Sequence, residues 1–293
     1  MTYTAWIILT ASLVGLSCGL IGVFLILRKM AMMADAISHT VLLGIVVAFI
    51  ITQELTGVHM LIGAIIAGLL TALFVQWLNS LDVQQEAAIG IVFTTLFAIG
   101  VILIEAFVGN AHLDVQHALM GEITFIPWNR ITLPIVGSIP KATAILTLVF
   151  FVVLLFIIAF YKEWKITTFD PGLAASVGIP VLFMHYLFMS LVSITTVASF
   201  DAVGAIMVVA MLITPAASAY LWTDRLHMML VISGLFGVAS AVIGYFIAAW
   251  IDTSISGSMA FATGLIFLAS YLLSPKHGLL AKYLKPEKIE TFE

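Results

Sequence analysis

Charge is scarce in this chain. Of 293 residues, 11 are Lys or Arg and 15 are Asp or Glu, so 9% are charged, against about 25% in a soluble domain. Hydrophobic residues make up 63%. No water-soluble core needs that much apolar sequence, which leaves an all-α, polytopic membrane helix bundle. Cysteine is almost absent too. Cys18 alone excludes an internal disulfide framework and a thiolate metal cage, so a bound metal would have to use His and carboxylates. There is no basic tract suited to nucleic acid. No G-x-x-x-x-G-K-[ST] phosphate loop occurs, so ATP hydrolysis would have to come from a partner. No H-E-x-x-H occurs either, which argues against an intramembrane metalloprotease. No Lys or Arg precedes the first apolar run, and a cleaved signal peptide needs a basic n-region. Residues 5–27 are therefore expected to stay as a first span.

A span needs about 20 apolar residues, and nine segments qualify: 5–27, 31–52, 59–79, 87–108, 142–161, 180–199, 203–222, 227–250 and 256–274. Positive residues orient them. Arg28 and Lys29 follow the first span, Lys162 and Lys165 the fifth, and Arg225 the seventh. Lys276, Lys282, Lys285 and Lys288 follow the ninth. These fall on one side if the N-terminus is outside and the C-terminus cytoplasmic; only Arg130 and Lys141 fall on the other. The segment 109–141 is then extracellular, and 162–179 is a cytoplasmic connector. The tail, 275–293, is charged and cytoplasmic. No internal repeat or low-complexity tract divides the chain, so residues 1–293 read as one transmembrane domain. Gly15 and Gly19 form a G-x-x-x-G, and Gly234, Gly237 and Gly244 lie in the eighth span. Such small faces signal tight bundling or a dimer interface. Pro215 interrupts the seventh span and can kink it.

The second span carries the most informative feature. Asp35 and His39 sit four apart in MAMMADAISHTVLLGI (30–45), a stretch otherwise built for lipid. A helix puts i and i+4 on one face, and ionisable groups in spans usually line a pathway or pair with something. The pair offers one hard and one borderline ligand to a divalent transition metal. A blander reading also fits: Asp35 neutralises Arg28 or Lys29, and His39 is a satisfied core group. Asp201 is expected to cap the seventh span or to line its outer mouth. Asp170 and Pro171, followed by Leu173, Ala174, Ala175 and Gly178, read as a short capped helix ended by the glycine.

Four segments together resemble the permease subunit of the metal-importing ABC transporters, the manganese, zinc and iron family. They are RKMAMMADAISHTVLLGI (28–45) with its D-A-x-S-H, AAIGIVFTTLFAIGVILI (87–104), TTFDPGLAASVGIP (167–180) and FDAVGAIMVVAMLITPAASAYLWTDRL (200–226) with its P-A-A-x-A. The similarity covers roughly residues 5–275, and the motifs are specific in combination.

The resemblance implies a multi-pass protein of the bacterial plasma membrane, embedded in the lipid bilayer. It implies a dimer with a second copy or a related chain, whose central interface is the ion path. It also implies an extracellular metal-binding protein that delivers the ion and a cytoplasmic ATP-binding subunit that drives release. The cargo would be Mn²⁺, with Zn²⁺ or Fe²⁺ as the alternatives, and no cofactor is permanently bound. Asp35 and His39 would belong to the ion path. His112, Asp114 and His117, spaced H-x-D-x-x-H in the extracellular segment, would receive metal from the donor or be an ordinary polar loop; Glu122 shares that status. The helix 170–178, within a coupling segment 165–179, would dock on the ATPase. One departure is Gly172, where the family often has a charged residue after the Asp-Pro. A gradient-driven secondary carrier is the competing class, because a carboxylate–His pair also serves proton relays. Such carriers often show two similar halves, and none is found here.

Overall fold

The computed structural model describes residues 2–53, 58–107, 123–133, 137–275 and 278–279. Helices dominate: α1 (Tyr3–Leu27), α2 (Ala31–Thr52), α3 (Val58–Asn79) and α4 (Gln85–Phe107) come first. A 3₁₀ turn (Ile123–Trp128) and a hairpin of β1 (Arg130–Leu133) and β2 (Gly137–Pro140) follow. Then come α5 (Lys141–Ala159), α6 (Tyr161–Phe169), α7 (Pro171–Ser176), α8 (Val181–Val203), α9 (Ala205–Trp222), α10 (Leu226–Ile251) and α11 (Ile255–Leu273). Among the described residues nine helices are long and apolar enough to cross a membrane. They match the nine expected spans to within a few residues at each end. The hairpin, antiparallel with Ile131 opposite Ile139, lies in the segment expected to be non-spanning; four-residue strands are too short to stand out by alternation.

Helix α1 runs through the centre. Ile7, Ala11, Val14, Cys18, Ile21 and Phe24 are all buried, as a helix apolar all round should be when neighbours enclose it. Helices α5, α8, α9 and α10 pack around it. The outermost faces stay apolar: Leu148, Phe151, Leu155 and Ile158 of α5, and Phe261, Leu265, Leu268 and Leu272 of α11, are exposed. Their three- and four-residue spacing forms one stripe on each helix, the surface a hydrocarbon solvent requires.

Small residues set the helix spacing. The G-x-x-x-G of α1 packs on α10 inside the chain. A Cβ at Gly15 would lie 2.6 Å from the backbone of Gly237, and Ser233 Oγ donates to the Gly19 carbonyl at 2.8 Å. Of the two roles open to these glycines, tight bundling is therefore the one they serve. Gly22 meets the Leu212 carbonyl, Gly44 meets Gly63, and Gly244 meets Met259. Buried hydroxyls link the helices further: Thr10 to Thr143 at 2.7 Å and Thr71 to Thr40 at 2.7 Å.

One junction differs from expectation. The α8–α9 break falls at Gly204, with φ 81° and ψ 165°, the N-cap position of α9. Asp201 is in the last turn of α8, so it does not cap the next helix; a glycine able to adopt positive φ moves the break three residues on. Its side chain lies outside the described residues. Pro215 is buried inside α9, which runs on through it to Trp222.

Gly22→Leu should lower the thermal midpoint of the detergent-solubilised protein, because overpacking a close seam costs about 1–3 kcal/mol. Gly264→Ala, where an added Cβ meets nothing within 4 Å, should leave it unchanged or raise it, since removing a helix-interior glycine gains about 0.5–1 kcal/mol. Thermal unfolding of both variants checks the contrast.

Candidate functional site

Helix α2 carries Asp35 and His39 on a face left partly open. Their side chains are 34% and 35% exposed, with His39 Nε2 3.5 Å from Asp35 Oδ1. That separation exceeds the usual 2.7–3.2 Å of a good hydrogen bond. The two donors are therefore only weakly engaged with each other. Ser38, between them, is buried and donates its hydroxyl to the Asp35 carbonyl at 2.7 Å.

The imidazole is held by ring packing. Phe93 of α4 stacks on it with centroids 5.8 Å apart, and Phe97 meets it edge-on at 5.7 Å. Phe93, Phe97 and Gly100 share one face of α4 by their spacing. Gly100 lets that face approach: a Cβ there would sit 3.2 Å from the Leu43 backbone of α2, one turn beyond His39. The close approach of Gly44 to Gly63 fixes the other side of α2 against α3. Sequence reading gave no role to Phe93 or Phe97; their i, i+4 spacing within 87–104 is the signal that pointed to them.

Arg28, in the basic turn before Asp35, makes its contacts elsewhere. Arg28 bonds through Nε to Thr168 Oγ1 at 3.0 Å and through Nη2 to Thr167 Oγ1 at 3.2 Å. Its guanidinium carbon lies 4.7 Å from the ring centre of Phe188. Burial pulls its pKa down to about 10, so it stays charged at neutral pH.

Among the described residues no three His, Cys, Asp or Glu side chains gather into a group able to hold a metal. Asp35 and His39 offer two donors on this chain. Cys18 is buried, 3.6 Å from Ser199 Oγ. His112, Asp114, His117 and Glu122 lie outside the described residues, as does nearly all of the tail 275–293.

The short helix after Asp170 forms as its sequence suggests. Asp170 Oδ1 accepts from the Leu173 N–H at 2.9 Å, and Pro171 fills the first helical position, where a missing N–H costs nothing. At the other end Ile179 N bonds to the Ala174 carbonyl at 3.0 Å and Gly178 N to that of Ala175 at 3.1 Å. This is a Schellman closure, and it needs the positive φ of 88° that Gly178 adopts. Ala174 is fully buried, whereas Leu173 and Val177 are 52% and 66% exposed; Ala175 is exposed too. Ala174 therefore seats α7 on the bundle, and Leu173, Ala175 and Val177 face outward. The preceding α6 is anchored by Trp164, wholly buried, which meets Phe24 of α1 and Phe188 of α8 edge-on, each at 5.7 Å.

Comparison with known proteins identifies relatives of the chain. Residues 1–274 match the family model described as the ABC 3 transport family. The chain is 56% identical over 285 residues to the manganese transport system membrane protein MntD of Bacillus subtilis, covering 97% of each. It is 42% identical to the zinc transport system membrane protein TroD of Treponema pallidum, covering 96% of this chain and 77% of that one. Among solved structures, PsaBC from Streptococcus pneumoniae in complex with Fab superposes with a TM-score of 0.79 at 35% identity, over 97% of this chain and 96% of that one. With residues 1–274 matched by that family model, and a relative 56% identical over 97% of the chain, the chain belongs to the ABC 3 transport family.

Proposed function

We propose that this chain is the membrane permease subunit of an ATP-driven importer of divalent transition-metal ions, Mn²⁺ foremost. The observation that carries it is the half-site: one carboxylate and one imidazole a turn apart, partly exposed, with no third ligand among the described residues. Two chains facing each other across α2 and α4 supply two oxygens and two nitrogens. Mn²⁺, Zn²⁺ and Fe²⁺ all accept that set; the manganese naming of MntD at 56% identity favours the first. The second chain is a copy of this one or a related permease.

Such a site binds transiently, because a conducting path must release what it admits. Asp35 supplies the charge that draws the cation in. His39 supplies a neutral nitrogen, kept on the α2 face by Phe93 and Phe97. The Lys and Arg distribution supports an external N-terminus and puts α6 and α7 on the cytoplasmic side. There the exposed Leu173, Ala175 and Val177 fit an apolar groove of an ATP-binding subunit, helix-in-groove fashion. The opposite face, with the 3₁₀ turn and hairpin, receives an extracellular metal-binding protein.

Asp35→Asn and His39→Ala should each abolish metal uptake by cells at limiting Mn²⁺ while the transporter assembles normally. Radioactive ⁵⁴Mn uptake beside co-purification of the subunits tests this; normal uptake by both variants removes the assignment. Leu173→Glu should reduce co-purification of the ATP-binding subunit at least tenfold, because burying an unpaired carboxylate in an apolar groove costs more than about 1.4 kcal/mol. Asp170→Ala should cost about 1 kcal/mol of local helix stability. Amide exchange within α7 should then run roughly fivefold faster, read by mass spectrometry.

A further inference from the structure

We infer that Arg28 is a positioning residue that ties the ATPase-facing segment to the metal-bearing helix. The inference rests on the importer reading above and deepens it: it names the side chain through which movement of α7 and the adjoining end of α6 reaches Asp35.

Arg28 stands in the turn joining α1 to α2, and its partners lie elsewhere. Two guanidinium nitrogens donate to hydroxyls of consecutive residues near the end of α6, Thr168 at 3.0 Å and Thr167 at 3.2 Å. The same group lies over Phe188 of α8. Thr167 and Thr168 come three and two residues before Asp170, the cap of α7. A displacement of α7 is therefore felt first at the two threonines. Arg28 is built to receive it, because a planar fork resists rotation where a single-point ammonium would swivel.

On its other side the arginine is joined stiffly to α2. Lys29 has φ 58°, and Met30 N bonds back to the Leu25 carbonyl at 2.8 Å while Lys29 N bonds to that of Ile26 at 2.9 Å. This closed turn leaves three residues between α1 and α2 with little freedom of their own. Helix α2 starts at Ala31, and Asp35 follows about 6 Å along its axis at 1.5 Å per residue. His39 is one turn further.

The space beside the strut permits motion. A cavity of about 260 Å³ borders Arg28, Met33, Gln76, Thr167 and His185. Its lining comes from α2, α3, α4, α6, α7 and α8 as well as the α1–α2 turn, so these elements are not packed solid against one another at this point. The contrast with Trp164 is instructive. That side chain is wholly buried and wedged between Phe24 and Phe188, and it fixes where α6 sits. The Arg28 contacts, two neutral-acceptor hydrogen bonds at the edge of a void, are the ones able to break and re-form.

The test uses the whole transporter in proteoliposomes: this permease with its ATP-binding subunit, metal-loaded binding protein and Mn²⁺. Two variants are compared with wild type, Arg28→Lys and the double change Thr167→Val with Thr168→Val. The first keeps the charge and loses the fork; the second keeps Arg28 and loses its acceptors. Both should co-purify with the ATP-binding subunit as wild type does, which separates them from Leu173→Glu. Both should raise the ATP split per ion imported about tenfold, as expected when coupling is lost while docking is kept. An unchanged ratio in either variant overturns the strut. Loss of uptake and ATP hydrolysis in the same proportion also overturns it, since a merely structural residue behaves that way. The wild-type complex run alongside isolates the parent reading. Uptake there that needs no ATP overturns the importer assignment, whereas ATP-driven uptake with unchanged ratios overturns only the role of Arg28.

Discussion

Close contact between helix backbones is the constraint on which everything else in this molecule depends. Lipid tails are as apolar as leucine, so helices gain little by hiding side chains from them, and association must come from packing and interhelical hydrogen bonds. Gly15 against Gly237, Gly22 against Leu212, Gly44 against Gly63 and Gly100 against Leu43 are the places where that packing is decided. Each removes a side chain that would hold two helices apart. Hydroxyl links such as Thr10 to Thr143 and Thr71 to Thr40 then fix rotation and register along the seams.

The candidate ion site follows from this arrangement. Gly44 and Gly100 let α3 and α4 close on α2 from two sides, and the closure brings Phe93 and Phe97 onto the His39 ring. What stays open is the edge of α2 bearing Asp35 and His39. Charge in a span is costly; both groups lie in the N-terminal half of α2, and each is about a third exposed on the chain by itself. On the proposed reading the weak mutual contact would ease transport, because donors locked together by a strong hydrogen bond would have to be separated before either could take a cation. On the proposed reading, two ligands per chain would make the site a property of a pair of chains, and a site assembled across an interface could be opened by moving its halves.

At the other end of the same turn the chemistry changes. Arg28, Thr167 and Thr168 form a polar junction between α2 and the segment that carries α7, set beside an aromatic cluster of Phe24, Trp164 and Phe188. The cluster supplies permanence and the polar junction supplies direction. The exposed apolar residues of α7 are oriented by its two ends, the Asp170 cap and the Gly178 closure, so a six-residue helix holds its shape without a long hydrogen-bonded ladder.

How much of this was legible beforehand depends on range. The nine spans, the Asp35–His39 facing and the capped helix 170–178 are local: hydropathy, helical period and capping chemistry act over a few residues, and the sequence alone determined them. The α8–α9 break at Gly204, three residues past Asp201, escaped because a glycine at positive φ competed with a good capping residue, and neighbouring helices settled the contest. Only the tertiary structure decided that the α1 glycines serve the interior, that Phe93 and Phe97 flank the imidazole, that Ala174 faces inward while Leu173 faces out, and that Arg28 bonds to residues 139 and 140 positions away rather than to Asp35. Those are questions of which surfaces meet, and in an apolar chain nearly every helix face is a plausible partner for every other until close packing chooses among them.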